Sequence, residues 1–227
     1  MCKAEFTSFY FRDQMAKMQF EELCSILDTL LGPNGCPWDK EQTLETLRTY
    51  VLEEVCELID ALHERDMQNI KEELGDLFFT VVFLAKVAAK EGHFTLEDAL
   101  QAINEKLIRR HPHIFGSAGS LDTSEQVLAQ WEVIKKQEKT TRKSALDAVS
   151  KSLPSLERVY KMLSRMKKAG FVPELVVGQD PEELLGQKLF VLAKEAADQG
   201  LHAELALRKV CQQVENAFLE WETCNQS

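Results

Sequence analysis

Val51-Leu52-Glu53-Glu54-Val55-Cys56-Glu57-Leu58-Ile59, a polar break at His63-Glu64-Arg65-Asp66, and Glu72-Glu73-Leu74-Gly75-Asp76-Leu77-Phe78-Phe79 decide how this chain folds. Both flanking segments repeat apolar residues at helical spacing, and both set carboxylates inside that apolar pattern. Glu54 and Glu57 are three positions apart, as are Glu73 and Asp76, so each pair shares one helix face, with Cβ atoms about 5–6 Å apart. A chain reversal near Arg65 sets Glu54 level with Asp76 and Glu57 level with Glu73. Four anions facing one another across a hairpin repel and raise one another's pKa unless a cation lies between them. An all-oxygen nest of this kind suits Mg2+, with Mn2+ as the alternative. One E-x-x-E on a soluble helix is ordinarily a solvated face; two in mirror register inside apolar runs fit that reading poorly.

Helical periodicity continues on both sides of the hairpin. Apolar positions from about Asp13 to Leu31 predict a first amphipathic helix, ended by the turn residues Gly32-Pro33-Asn34-Gly35-Cys36-Pro37. Asp39, with Gln42 three residues later, has the pattern of a capping box for a second helix running to about Glu64. The third, from about Met67 to Glu91, is apolar on every face from Leu77 to Ala85. A helix of that kind must be covered all round, which predicts a tight homodimer built on it. Thr95 and Asp98 cap a fourth helix that Pro112 stops, and a fifth is expected from about Thr123 to Glu138. The basic run Lys135 to Lys143 reads as a solvated linker. No β-alternation of any length is present, so the predicted fold is all-α, a helical bundle.

Composition narrows the function. A net charge of −10 argues against nucleic-acid binding and against an anionic membrane surface. No apolar run reaches the about 18 residues of a membrane span, and the N-terminus lacks a signal-peptide pattern. Cys2, Cys24, Cys36, Cys56, Cys211 and Cys224 make no C-x-x-C pair. They read as reduced thiols of a cytoplasmic protein, and zinc is not expected.

Several separate motifs, in order, carry a family likeness. Cys36-Pro37-Trp38-Asp39, the E-E-x-x-E of Glu53 to Glu57, the E-E-L-G-D of Glu72 to Asp76, the run Asn104 to His113, and Trp131-x-x-x-Lys135 resemble the MazG family of nucleoside triphosphate pyrophosphohydrolases. The resemblance covers roughly residues 15 to 140. One departure is Leu44, where the family often has His. The resemblance implies an enzyme, a hydrolase of phosphoric anhydride bonds, that converts a nucleoside triphosphate to the monophosphate and pyrophosphate. It implies Mg2+ held by Glu54, Glu57, Glu73 and Asp76, and substrate contacts from Lys106, Arg109, Arg110, Trp131 and Lys135. A metal-activated water, deprotonated by Glu53 or Glu54, would attack the α-phosphorus. Which phosphorus is attacked comes from the resemblance, because the chemistry of the residues would serve either end of the triphosphate.

Residues 150 to 227 look like a worn copy. Glu182 to Phe190 echoes Glu72 to Phe79, with Gly186 matching Gly75, and Ala206 to Gln213 echoes Ala99 to Lys106. In the copy Gln187 replaces the equivalent of Asp76, Gln213 that of Lys106, and Ala217 that of Arg110. The stretch between Phe171 and Gly186 has no room for a helix bearing E-x-x-E. The expected organisation is therefore an active domain over 1–140, a linker over 141–150, and a catalytically inert helical domain over 151–227.

Two other functions compete. A carboxylate-bridged di-iron bundle needs two E-x-x-H pairs, and the chain offers only Asp60-x-x-His63. A non-enzymatic helical interaction protein with a solvated acidic face is the main alternative.

Overall fold

The computed structural model describes residues 3–116, 119, 121–138, 144–175, 178 and 180–225. Its helices are α1 (Lys3–Leu31), α2 (Pro37–Glu41), α3 (Leu44–Glu64), α4 (Met67–Lys90), α5 (Leu96–Arg110), α6 (Pro112–Phe115), α7 (Ser124–Glu138), α8 (Ser155–Lys168), α9 (Pro181–Asp198) and α10 (Ala203–Asn225). A 3-10 turn at Ala145–Ala148 precedes α8, and no strand occurs among the described residues. The chain divides into two compact units, one ending at Trp131 and the other starting at Glu132, so the boundary falls within α7.

The α3–α4 hairpin is the frame of the first unit. Thr43 and Thr46 form the capping box that starts α3: the Thr43 hydroxyl accepts from Thr46 N at 3.2 Å and the Thr46 hydroxyl accepts from Thr43 N at 2.9 Å. Arg65 closes α3 in the left-handed conformation, with φ 60° and ψ 27°, an arrangement that costs an L-residue about 1–2 kcal/mol. Asp66 then caps α4, its Oδ1 accepting from Gln68 N at 2.9 Å and Asn69 N at 3.1 Å. Two residues thus reverse the chain, and α3 and α4 lie side by side.

Leu27 of α1, Leu47 of α3, and Val82, Phe83 and Val87 of α4 form the buried core. All six buried residues of α4 lie between Thr80 and Ala88. Glu72, Glu73 and Asp76 of α4 come before that stretch and Glu53, Glu54 and Glu57 of α3 come after Leu47, so these carboxylates sit between the reversal and the core. Leu44, where the family likeness expects His, packs against the core instead.

The loop after α1 is held down by backbone contacts and lysines. A Cβ on Gly35 would stand 2.0 Å from the Leu30 carbonyl oxygen, so only glycine fits there. Lys40 Nζ donates to the Pro33 carbonyl at 3.1 Å, and Lys90 Nζ donates to that of Lys40 at 2.8 Å, tying the loop to α4.

Several boundaries differ from the sequence reading. Helix α1 starts at Lys3 rather than near Asp13, because no glycine or proline interrupts the chain there. Asp39 does not cap the second helix; it is buried in the one-turn α2, and the backbone extends at Gln42 (ψ 140°) before Thr43 takes the capping role. Pro112 does end α5, yet it also begins α6, where its fixed φ suits a first helical turn. The expected linker is partly structured. Lys135 lies in α7, the 3-10 turn packs against α8, and Val149 is buried, while 139–143 lie outside the described residues.

In the second unit α8 packs on both α9 and α10. Asp180 caps α9 through Glu182 N and Glu183 N, both at 2.9 Å. Gly186 falls within α9 as Gly75 falls within α4, but among the described residues no helix lies between α8 and α9.

Candidate metal and nucleotide site

Glu54, Glu57 and Glu73 each offer a carboxylate oxygen, and these atoms all lie within 4.8 Å of one another. Glu54 and Glu73 are half-buried, Glu57 exposed. Helical spacing puts Glu54 and Glu57 on one face of α3, and the Arg65–Asp66 reversal brings that face against the matching face of α4.

Electrostatics reports the same register. Glu54 is held above the usual carboxylate range by desolvation, then by the charge of Asp76, and then by Glu57, Glu73 and Glu53. Glu73 is also raised, by desolvation and then by Glu57, Asp76 and Glu72. Across the hairpin the largest charge on Glu54 is thus Asp76, and the largest on Glu73 is Glu57. Asp76 stands outside the three-oxygen group but acts on two of its members. Every side chain that shifts Glu54 or Glu73 is itself an acid. Such a set has hard oxygen donors and an unneutralised negative charge, which fits a Mg2+-type cation and would repel an anion.

The basic residues come from α5. Lys106 and Arg110 are half-buried, and Arg109 is exposed. The Arg110 guanidinium lies over the Trp131 ring, 5.6 Å from its centroid, a cation–π arrangement that fixes both side chains. His111 Nδ1 donates to the Leu107 carbonyl at 2.7 Å, and His113 Nδ1 donates to Gln130 Oε1 at 2.9 Å, linking α6 to α7. Glu53 is exposed on α3, outside the three-oxygen group. Trp38 is half exposed and packs edge-on against Tyr50, with centroids 5.7 Å apart. Lys135 belongs to the second unit, where its Nζ lies 3.8 Å from Glu132 Oε1.

Two contacts escaped the sequence reading: His113 with Gln130, and Glu132 with its basic partners. The Glu132/Lys135 spacing was visible as a helical ion pair, but nothing in the local pattern pointed to partners on other elements.

Residues 42–115 match the MazG nucleotide pyrophosphohydrolase domain. Across 90% of its length the chain is 40% identical to the nucleoside triphosphate pyrophosphohydrolase of Escherichia coli K12, and it spans 87% of that protein. The chain belongs to the MazG family. The nucleoside triphosphate pyrophosphohydrolase/pyrophosphatase MazG of Thermotoga maritima is 37% identical over 91% of this chain and 87% of its own. A crystal structure of a MazG-related protein from the same organism aligns with 51% of this chain and 98% of its own, at 31% identity and a TM-score of 0.46. This MazG protein is an all-α member of a family of hydrolases acting on phosphoric anhydride bonds, as the sequence motifs implied. No helix among its described residues is long and apolar enough to cross a membrane.

Proposed function

We propose that this MazG protein hydrolyses nucleoside triphosphates to the monophosphate and pyrophosphate in a Mg2+-dependent reaction at the α3–α4 carboxylates. The observation that carries this reading is the convergence of carboxylate oxygens of Glu54, Glu57 and Glu73 within 4.8 Å of one another, with desolvation and then neighbouring acids raising the pKa of Glu54 and Glu73. Glu54, Glu57, Glu73 and Asp76 would hold the cation, with Mn2+ as a substitute. Once bound, the cation supplies charge neutralisation and acidifies a water. Glu53 or Glu54 takes the proton from the attacking water, which adds to the α-phosphorus as the bond to the bridging oxygen breaks. Lys106, Arg109 and Arg110 stabilise the charge that passes to the pyrophosphate. Trp131, with Arg110 on its ring, and Lys135 complete the substrate contacts.

The active domain extends over 1–140, with a linker over 141–150. The domain over 151–227, lacking the acids, is catalytically inert. The working form is a homodimer: Leu74, Phe78 and Val81 on α4 are each about half exposed in the single chain, which is costly unless a second copy covers them. The free thiols Cys24, Cys36, Cys56, Cys211 and Cys224 suit a reducing compartment such as the cytoplasm.

The test is product analysis on a panel of nucleoside triphosphates with Mg2+, with Mn2+ and with chelator. Wild type should release pyrophosphate only with metal. Glu54→Ala should lose at least about a hundredfold in rate, the scale of an electrostatic contributor to catalysis. Pyrophosphate release that is unchanged by chelator or by Glu54→Ala would sink the proposal.

A further inference from the structure

The second unit contains a cavity of about 470 Å3 in which the hairpin carboxylates take no part. Its walls are α8, the loop that follows and the last turns of α9, so it lies wholly within that unit. Tyr160, Leu163 and Phe171 give it aromatic and apolar surface, and Lys167, Lys194 and Asp198 give it charge. Phe171 is 57% exposed, which leaves its ring open to a ligand. Lys194 Nζ donates to Asp198 Oδ2 at 2.8 Å. That hydrogen bond and the Lys194 charge, with Lys167 adding to them against desolvation, hold Asp198 below the ordinary carboxylate range. Two ammonium groups against one carboxylate leave the cavity cationic.

The first unit has the same corner with a different filling. Leu84-Ala85-Lys86 recurs as Leu192-Ala193-Lys194, both alanines are buried, and each helix is followed by a left-handed glycine, Gly92 at φ 78° and Gly200 at φ 75°. A cavity of about 460 Å3 in the first unit is lined by Lys86 of α4 and by Asp28 of α1. Lys86 Nζ lies 2.6 Å from Asp28 Oδ1, so that lysine is matched by an acid on the facing helix. In the second cavity α8 supplies Tyr160, Leu163, Ser164 and Lys167, none of them an acid. The retained lysine takes its acid from its own helix and shares the cavity with a second cation. We propose that this cavity binds a nucleoside monophosphate: the phosphate stands on Lys167 and Lys194, in the role that Asp28 has in the first unit, and the base lies against Phe171. Lysine is a point charge suited to phosphate, and any base can stack on an aromatic ring. Asp198 has a second oxygen to accept from a ribose hydroxyl. The volume falls in the range of small-ligand sites, about 300–1,000 Å3. No metal and no residue of the first unit is needed, so the site is independent of the proposed hydrolysis.

The test is titration calorimetry on the full chain in EDTA, where the acids of the hairpin repel an anion, with AMP, adenosine and inorganic phosphate as separate probes. AMP should bind at least about tenfold more tightly than either of the others, because only AMP meets both the lysines and the ring. Binding should weaken as NaCl rises. Lys167→Ala and Lys194→Ala should each weaken AMP roughly fivefold, the scale of one solvent-screened charge contact. Phe171→Ser should bring AMP down towards phosphate. Ser164→Asp puts an acid on the α8 wall, as Asp28 is on the α1 wall, and should weaken AMP at least about tenfold. This exposed position keeps the test decisive if a lysine variant folds poorly. Glu54→Ala with Glu73→Ala should bind AMP as wild type does. No AMP binding in EDTA, phosphate binding as tightly as AMP, or AMP binding that survives Ser164→Asp and is lost in the double glutamate variant would each overturn the site.

Discussion

Glu54 and Glu73 hold their protons more tightly than an ordinary glutamate because each is partly desolvated and faces carboxylates on its own helix and on the opposite one. The sign of the consequence follows from linkage. A carboxyl whose pKa is raised on folding binds more protons folded than unfolded, so stability falls as pH rises from the ordinary value through the raised one. Glu132 and Asp198 go the other way. Lys194 holds Asp198 down first by its hydrogen bond and then by its charge, and both acids give stability that is lost only as pH drops below the ordinary carboxylate range. The two windows do not overlap. Chelator-treated protein should therefore melt at a higher temperature near pH 5 than at about pH 7.5, and Mg2+ should recover the loss at the higher pH. Glu54→Gln with Glu73→Gln should narrow the difference. Equal melting temperatures at both pH values in the wild type would show that the crowding has no thermodynamic weight. At this scale the pairs E-x-x-E and E-x-x-D were legible, since spacing along a helix fixes which side chains share a face. The capping residue was not. The sequence reading took Asp39 with Gln42, but the short α2 that Pro37 initiates takes up Asp39, and Thr43 with Thr46 forms the box instead.

The α3–α4 hairpin is the element that joins sequence pattern to chemistry. Its reversal uses one left-handed residue, Arg65, and one cap, Asp66, so a change in the length of this turn would move the two carboxylate faces out of register. What keeps the helices together is the apolar half of α4, with Phe83 about 1% exposed beside Leu27 and Leu47. Phe83→Ala should cost about 3–5 kcal/mol, read by denaturant unfolding, because the cavity cannot collapse between three helices. It touches no carboxylate, so the surviving folded protein should keep its metal dependence. A loss below about 1 kcal/mol would mean that the core is not where the buried residues place it. The hairpin was readable because both of its helices repeat at 3.6 residues and the polar break between them is short. The first helix was read too short because its opening turns lack a clear apolar stripe, and a helix start without a cap or proline leaves little mark in the sequence.

For the molecule as a whole, one surface asks for explanation. On α4, Phe78 at 49% and Val81 at 51% exposure continue the apolar circumference that the sequence displays, and only part of it is covered within the chain. In the proposed homodimer this face is covered by the second copy, so Val81→Glu should give a monomer mass in light scattering where wild type gives a dimer mass, with activity falling alongside. A mass that stays dimeric would move the interface elsewhere. In the second unit, no helix lies between α8 and α9 among the described residues.

The residues themselves determined that the chain is helical, that it reverses near Arg65, and that one hairpin concentrates four acids; periodicity and charge are local and one-dimensional, so they survive without coordinates. Tertiary structure alone decided that Leu44 is a core neighbour, that Arg110 rests on Trp131, and that Glu132 meets Arg165 and Lys168. Each of these joins side chains from different elements across spans where no helical period relates them. Their meeting depends on how the helices pack, which the spacing of residues along the chain does not encode.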